Sequence, residues 1–157
     1  MPEVLDLDFD EPVATTFRHR PYQAECIAAV DSGWAEASRQ IVVMAGGCGK
    51  TVVFSAISKL EVGRAGRVLI LAHTDELLEQ AIDKLHRSTG LVADKEKADS
   101  HASPEASVVV ASVQTLSRPD RLTGFADDHF SLVIVDECHR ALSPSHLRVM
   151  NYSHFGP

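Results

Sequence analysis

The sequence predicts an α/β fold in which a parallel, doubly wound sheet lies between two layers of helices. Short apolar runs alternate along the chain with segments whose apolar residues recur at helical spacing. Unbroken apolar runs are typical of parallel strands that are covered on both faces. Strands that alternate with helices in this way are joined by right-handed crossovers, which build a three-layer sheet.

The size and composition of the chain fit one globular domain. Its 157 residues are enough to bury a core. No apolar run approaches the roughly 20 residues of a membrane span, so we expect no membrane partner. The three cysteines, Cys26, Cys48 and Cys138, form no CxxC pair. Together with an acidic N-terminus that is no signal peptide, they predict a reducing compartment, which we take to be the cytoplasm.

Negative charge is concentrated at the N-terminus. Residues 1–16 hold five acidic residues and no Lys or Arg, so they carry −5 of the net −7 and leave about −2 for the rest. Pro2 and Pro12 bracket this part, and we expect an acidic tail without regular structure, although its alternating residues also fit an edge strand. The domain proper is assigned to residues 17–157. Because it shows no basic patch, any contact with nucleic acid must be local.

Four apolar runs are predicted to be the strands. They are Ile41–Val43, Arg67–His73, Ser107–Ser112 and Phe130–Val135. Residues 88–106 are polar and mixed, and we expect a loop or a weak, short element there. Ligands of parallel sheets bind at the carboxyl ends of the strands, so the residues that follow each run are the candidates for chemistry.

Helices are expected between these strands and after the last one. Pro21 suits the first turn of a helix, and the residues after it repeat at helical spacing. A second helix follows the glycine-rich stretch, and Thr74 or Asp75 is expected to cap a third. A fourth begins at Pro144 and runs to Tyr152.

The glycine-rich stretch between the first predicted strand and the second helix is typical of a phosphate-binding loop. It reads Ala45-Gly46-Gly47-Cys48-Gly49-Lys50-Thr51. Glycines let the backbone approach a phosphate, and the N–H groups of the helix start then face the anion. In the G-x-x-x-x-G-K-[ST] pattern, Lys50 would contact the β- and γ-phosphates and Thr51 would bind Mg²⁺. Met44 stands where that pattern has glycine, and a plain glycine turn is the alternative.

A pair of acids follows the fourth predicted strand. Asp136 would hold the Mg²⁺ shell and Glu137 would orient and deprotonate the attacking water, as phosphoryl transfer requires. His139 either senses the γ-phosphate or is an ordinary polar residue. A capped turn is the alternative for the acids. A zinc cluster of cysteines and histidines is disfavoured, because the spacing is not a zinc pattern.

These motifs resemble the first ATP-binding lobe of superfamily-two helicases and translocases of the DEAD/DEAH-box-related kind. Five motifs occur in the family order over residues 17–157. They are the glutamine motif Arg20–Gln23, motif I Ala45–Thr51, motif Ia Leu71–Leu78, the stretch Ser112–Leu116, and motif II Asp136–His139, here a DECH box. The family tolerates a residue other than glycine at position 44.

The resemblance implies a RecA-like P-loop NTPase lobe that hydrolyses ATP with Mg²⁺ and couples this hydrolysis to nucleic acid, with DNA favoured over RNA.

The resemblance also assigns a role to each motif residue. Gln23 would contact the adenine base, because a Gln amide can pair with an adenine edge, although Gln23 also fits a plain helix start. The nucleotide would further contact Ala45, Gly46, Gly47, Cys48, Gly49, Lys50 and Thr51. Lys50, Asp136, Glu137 and His139 would be catalytic, with Thr51 and Asp136 at the metal. The nucleic acid would face His73, Thr74, Gln114 and Thr115; an Arg often stands at position 74, so one cationic contact is lost.

Motif III and the second lobe with its arginine finger do not occur before Pro157. The resemblance implies that the motif III strand lies between the phosphate-loop strand and the acid-bearing strand. We therefore expect an incomplete sheet with open edges, and a fragment of a larger protein that is weakly active or inactive on its own. A sharp cooperative urea transition of the isolated chain would count against this expectation.

Three other functions fit some of the motifs. The chain would be a nucleotide-binding fragment without turnover, the lobe of a restriction-enzyme-type DNA translocase, or a P-loop enzyme with a small-molecule substrate. The glutamine motif and the motif Ia stretch argue against the last of these. Stimulation of ATP turnover by DNA or RNA distinguishes the motor functions from the others.

Overall fold

The computed structural model describes residues 18–140 and 142–152. The acidic tail expected at residues 1–16 lies outside this part. A four-stranded sheet with helices on both faces confirms the α/β fold class. No helix of the described residues is both long and apolar enough to cross a membrane.

The sheet is parallel throughout, and its two central strands are completely buried. In chain order its strands are β1 (Val68–Ala72), β2 (Asp94–Glu96), β3 (Val108–Ser112) and β4 (Leu132–Val135). Their order in space is β2-β3-β1-β4. Every residue of β1 and β3 is buried, whereas β4, at one edge, is mostly half-buried. Because all strands point the same way, their carboxyl ends meet at one edge of the sheet.

Six helices and one short 3₁₀ turn, Cys138–Arg140, connect and flank the strands in the described residues. The helices are α1 (Pro21–Gly33), α2 (Lys50–Gly63), α3 (Asp75–Thr89), α4 (Val113–Leu116), α5 (Pro119–Leu122) and α6 (Pro144–Tyr152). The predicted starts of α1 at Pro21 and of α6 at Pro144 are confirmed. Thr74 caps α3, because its hydroxyl accepts a hydrogen bond from the N–H of Leu77 at 3.3 Å.

The core has two parts, one on each face of the sheet. Alternate residues of β1 point to opposite faces, as in any strand. Val68, Ile70 and Ala72 pack in one cluster with Phe54 of α2 and residues of α3. Leu69 and Leu71 pack in the other with residues of α4, α5 and α6. The three layers therefore arise from the alternation within the central strands.

The predicted strand Ile41–Val43 is wrong. The three residues have no strand conformation, and their exposed fractions are 78% for Ile41, 37% for Val42 and 90% for Val43. A strand forms only beside a hydrogen-bonding neighbour. β4 is the last strand on its side of the sheet among the described residues, and the run does not pair with it. The resemblance implied another strand between the two, and the described residues contain none there.

The fourth strand is instead β2, in the polar stretch where we expected a loop or a weak element. Its residues Asp94, Lys95 and Glu96 give no apolar signal. The buried Glu96 is paired with Arg121 of α5, and Lys95 is paired with Glu79 of α3. These pairs compensate the charges, so a polar segment can form an edge strand.

Candidate functional site

The glycine loop adopts a tight turn directly before α2. Gly47 and Gly49 have φ values of 77° and 80°, in the left-handed region that favours glycine. The N–H of Cys48 donates to the carbonyl of Ala45 at 3.3 Å and closes the turn. A Cβ added at Gly46 or Gly47 would meet no atom within 4 Å, so this part of the loop is open to an approaching ligand.

The start of α2 is arranged to bind an anion. Its N-cap is Gly49, which has no side chain to cap the helix. The N–H groups of the first turn are therefore not satisfied by a side chain of the cap residue, and the positive end of the helix dipole lies behind them. Lys50, the first residue of the helix, is exposed, and Thr51 is half-buried. This set of donors fits a phosphate group.

Helix α1 holds the glycine loop from the side. The amide nitrogen of Gln23 donates to the carbonyl of Cys48 at 3.0 Å, and the hydroxyl of Tyr22 donates to the same oxygen at 3.1 Å. The amide oxygen of Gln23 accepts from the N–H of Arg20 at 2.9 Å, and Gln23 is buried. Both ends of the amide predicted to contact adenine are thus hydrogen-bonded to the protein. The adenine contact stays a prediction, and it would use the second N–H of the amide and the second lone pair of its oxygen.

A depression of about 210 Å³ lies beside the loop and α2. It is lined by Arg18, Arg20, Gln23, Gly47, Cys48, Gly49 and Val52. Its volume is below the ~300–1,000 Å³ of typical small-molecule sites and is suited to phosphate groups rather than to a whole nucleotide. Arg18 was missed in the sequence, and Arg20 was placed in the glutamine motif without a ligand role. The signal was their alternation with His19 in the extended segment before α1, which places both on one side.

The acid pair lies at the carboxyl end of β4. The N–H of Asp136 donates to the carbonyl of Leu71, at 3.2 Å, so β1 fixes the backbone here. A carboxylate oxygen of Asp136 accepts from the N–H of Glu137 at 3.0 Å. Glu137 has a φ of 58°, which is uncommon for a residue with a side chain and is typical of functional turns. Its carboxylate lies 3.2 Å from Nδ1 of His139, so the three predicted residues are together.

The ends of β1 and β3 carry the residues expected to face nucleic acid. His73 is half-buried and its ring is stacked with that of His146 of α6, with centroids 6.4 Å apart. Burial, and secondarily His73, lowers the pKa of His146. The hydroxyl of Thr115 accepts a hydrogen bond from the N–H of Ala98 at 3.3 Å, and Gln114 is exposed. Together with the capping role of Thr74, this means that both threonine hydroxyls already have structural roles.

The topology brings these groups to one edge of the sheet. His73 and Asp136 directly follow β1 and β4, and Ser112 is the last residue of β3, so they share that edge. Helix α2, which carries Lys50 and Thr51, contacts both β1 and β4. The glycine loop leads into α2, and β4, which α2 contacts, is followed by Asp136 and Glu137. A nucleotide bound at this edge of the sheet would draw on both segments.

Comparison with known sequences identifies a family and named relatives. Residues 16–155 match the family described as "Type III restriction enzyme, res subunit". The chain is 37% identical over 142 residues to a protein of Schizosaccharomyces pombe named as a mitochondrial ATP-dependent helicase, irc3. That alignment covers 87% of this chain and 23% of the relative. The chain thus spans about a quarter of the length of this relative.

Comparison with solved structures gives the same fold at lower identity. The UvsW helicase from bacteriophage T4 is similar with a TM-score of 0.67 and 21% identity, over 88% of this chain and 49% of that one. The Type ISP restriction-modification enzyme LlaGI, solved in complex with a DNA substrate mimic, gives a TM-score of 0.68 and 21% identity. There the match covers 87% of this chain and 16% of the other. These likenesses confirm the helicase-type RecA-like fold.

Proposed function

We infer the function from one premise: the chain belongs to the family of the type III restriction enzyme res subunit. We propose that it is the first ATP-binding lobe of an ATP-dependent nucleic-acid helicase or translocase. The observation that carries this proposal is the start of α2, where an open glycine loop leads into a helix without a side-chain cap. Such a helix end with Lys50 at its first position binds the phosphates of a nucleotide.

Mg²⁺ would be held between α2 and β4. Asp136 supplies a carboxylate and Thr51 a hydroxyl, which are oxygen ligands of the kind that Mg²⁺ prefers. Over residues 18–140 and 142–152, no three His, Cys, Asp or Glu side chains form a ready metal cage. This fits a cation that is completed by phosphate oxygens and water, as is usual for nucleotide-bound Mg²⁺. When bound, the ion would neutralise charge on the phosphates.

Glu137 and His139 would complete the reaction site. Glu137 is half-buried, and its carboxylate would orient a water molecule and accept its proton. His139 lies next to this carboxylate and would link the nucleotide site to nucleic acid. The unusual backbone of Glu137 supports the assignment, because such conformations persist where function requires them.

The nucleic acid would contact the same edge of the sheet through His73, Thr74, Gln114 and Thr115, with DNA as the favoured partner. The name of the LlaGI structure supports DNA, and the family description supports a restriction-type translocase as the alternative to a helicase. A second helicase lobe would supply the rest of the ATP site.

We propose the cytoplasm as the compartment of this protein. The name of the fission-yeast relative points to mitochondria instead, and cell fractionation distinguishes the two.

Titration with a fluorescent ATP analogue tests the proposal. Lys50→Ala is expected to weaken binding by about tenfold to a hundredfold, because a charge-assisted contact to phosphate is lost. Lys84→Ala, which removes an exposed lysine of α3, is the matched control and should bind as the parent does. Equal binding by the parent and Lys50→Ala would refute a phosphate site at the start of α2.

Turnover of ATP by the chain alone should be slow, because a missing arginine finger costs about 10³- to 10⁵-fold in rate in related hydrolases. Adding single- or double-stranded DNA should raise any residual turnover if this lobe belongs to a motor. Stoichiometric binding of the analogue with no turnover, with or without DNA, would instead support a nucleotide-binding fragment.

A further inference from the structure

A groove of about 1,020 Å³ lies along the contact of α1 with α2 and reaches the last turn of α3. We call it the α1/α2 groove. It is far larger than the 210 Å³ depression beside the glycine loop, and none of the residues proposed for the ATP site lines it. Its volume is at the upper end of the ~300–1,000 Å³ range of small-molecule sites and also accommodates a segment of polypeptide.

The lining of the groove combines apolar side chains, which we call its floor, with mainly cationic ones, which we call its rim. The floor residues are Ala24, Ile27, Ala28, Ala56 and Leu60. Leu60 is 40% exposed and adds apolar surface to this floor. The rim carries Lys59, Arg64 and Arg87 against a single acid, Asp31.

The cations of the rim differ in how far they are already paired. Arg64 forms two hydrogen bonds to Asp31, at 2.6 and 2.9 Å, and these bonds hold the pKa of Asp31 below its ordinary value. Arg87 is paired with Asp83 at 2.9 Å. Lys59 is exposed and forms no ion pair with another described residue. The rim therefore has a free positive charge next to the apolar floor.

We propose that the acidic N-terminal segment of this chain, residues 3–11, docks in the α1/α2 groove. The described chain starts next to it, because His19 lines the groove while its neighbours Arg18 and Arg20 line the depression on the other side. Eight residues separate Phe9 from Arg18. They reach up to about 28 Å when extended, enough to turn back into an adjacent groove.

The chemistry of the segment matches that of the groove. Leu5, Leu7 and Phe9 alternate with Asp6, Asp8 and Asp10. In an extended conformation such residues point to opposite sides. The apolar side chains would then cover the floor while the carboxylates face the cationic rim.

The depression beside the glycine loop is the competing place for this segment, because it is also cationic. It is small, however, and its lining is glycine, arginine and amide with a single aliphatic residue, Val52. Three large apolar side chains find no cover there, so the groove is favoured. Docking across α1 and α2 would hold α1 in place, and α1 carries the two side chains that bind the Cys48 carbonyl.

Zero-length carbodiimide cross-linking of the full chain, followed by peptide mass spectrometry, tests the proposal. It joins a carboxylate to a lysine only when the two are in contact. Links from Asp6, Asp8 or Asp10 to Lys59 are expected. Links of the same acids to Lys50 would place the segment in the depression, and an even distribution that includes Lys95 and Lys97 would show no docking. Either result overturns the proposal.

A double variant and an isotope mixture make the test specific. Leu7→Asn with Phe9→Asn keeps the charge of the segment and should reduce the Lys59 links about tenfold, because apolar burial is lost. Thr15→Asn with Thr16→Asn is the matched control and should leave them unchanged. Cross-linking a mixture of ¹⁴N and ¹⁵N chains shows whether a link joins two copies. Mixed-isotope links, or links that survive the double variant, would refute docking within one chain.

Discussion

Two apolar runs of this chain look alike in sequence and behave in opposite ways. Val68–Ala72 forms the central strand β1, with every residue buried. Ile41–Val43 is not a strand, and Ile41 and Val43 are largely exposed. β1 has neighbours on both sides, β3 and β4, to which its backbone is hydrogen-bonded. The difference teaches that an apolar run becomes a strand only when the topology supplies a partner for its backbone.

The helices that follow the two runs differ in the same way. Helix α3, after β1, is capped by the side chain of Thr74, while α2, after Ile41–Val43, starts from Gly49 without a side-chain cap. The start of α3 is thus capped by a side chain of this chain, whereas the start of α2 has no side-chain cap. Uncapped N–H groups at a helix start are available to bind a ligand.

The largest expected difference between the two runs is in the free energy of unfolding when one isoleucine of each is replaced by alanine. Ile70→Ala removes a completely buried side chain and should cost about 2–5 kcal/mol of unfolding free energy. Ile41→Ala removes a side chain that is 78% exposed and should change it by less than about 0.5 kcal/mol. Urea unfolding measures both. Similar losses for the two variants would mean that Ile41–Val43 is buried in solution and that the contrast is wrong.

The stability of the folded chain should also decrease at low pH, because of a histidine packed beside the sheet. His146 has its pKa lowered by burial, so the folded chain binds fewer protons there than the unfolded chain, and stability should fall as the pH drops below about 6.5. One proton sets a limit of about 1.4 kcal/mol per pH unit. The open run 41–43 has no titratable side chain. Urea midpoints between pH 5 and pH 8 measure the slope.

His146→Leu should flatten this slope whatever its effect on stability at neutral pH. His129 also has its pKa lowered, first by burial and then by Arg67, and so adds to the slope in the same direction. His129→Phe, beside Phe125 and Phe130, should remove that second part. A double variant that retains the slope of the parent would contradict the assignment of acid sensitivity to these two residues.

The smallest effect concerns the helix starts. Thr74→Ala removes the cap of α3 and should cost about 1 kcal/mol. Thr123→Ala is the matched control: it also removes an exposed hydroxyl with a backbone hydrogen bond, to the carbonyl of Pro119 at 2.9 Å, but it lies at the end of α5 and caps no helix start. It should cost less than about 0.5 kcal/mol. Thermal unfolding compares the two. Equal losses of stability in the two variants would show that the Thr74 cap does not stabilise α3. The contrast between the capped start of α3 and the uncapped start of α2 would then have no energetic consequence.

Local signals predicted most of the fold correctly. The apolar runs that became β1, β3 and β4, the proline at the start of α1 and the threonine cap of α3 depend on neighbours in sequence, which a single chain reveals. The strand β2 was missed as a definite strand because its charges are compensated by partners on α3 and α5, far away in the sequence. Long-range pairing carries no local signal.

The candidate site shows the same limit. The motif residues of the glycine loop and the acid pair could be located from the sequence, and the structure brings Glu137 and His139 into contact. The bond of Tyr22 to Cys48 could not be foreseen, because it joins residues 26 positions apart. Nor could the engagement of both ends of the Gln23 amide, since sequence spacing says nothing about which partner a side chain selects.

The left-handed backbone of Glu137 lowers the stability of the fold at a position where we propose a catalytic carboxylate. Glycine or asparagine would adopt its φ of 58° at lower cost, by about 1 kcal/mol, and would remove the carboxylate. A selection for thermal stability alone, without a requirement for ATP turnover, would therefore favour replacement of Glu137 by glycine or asparagine. Keeping glutamate here retains, at a cost in stability, the carboxylate that we propose to orient the attacking water.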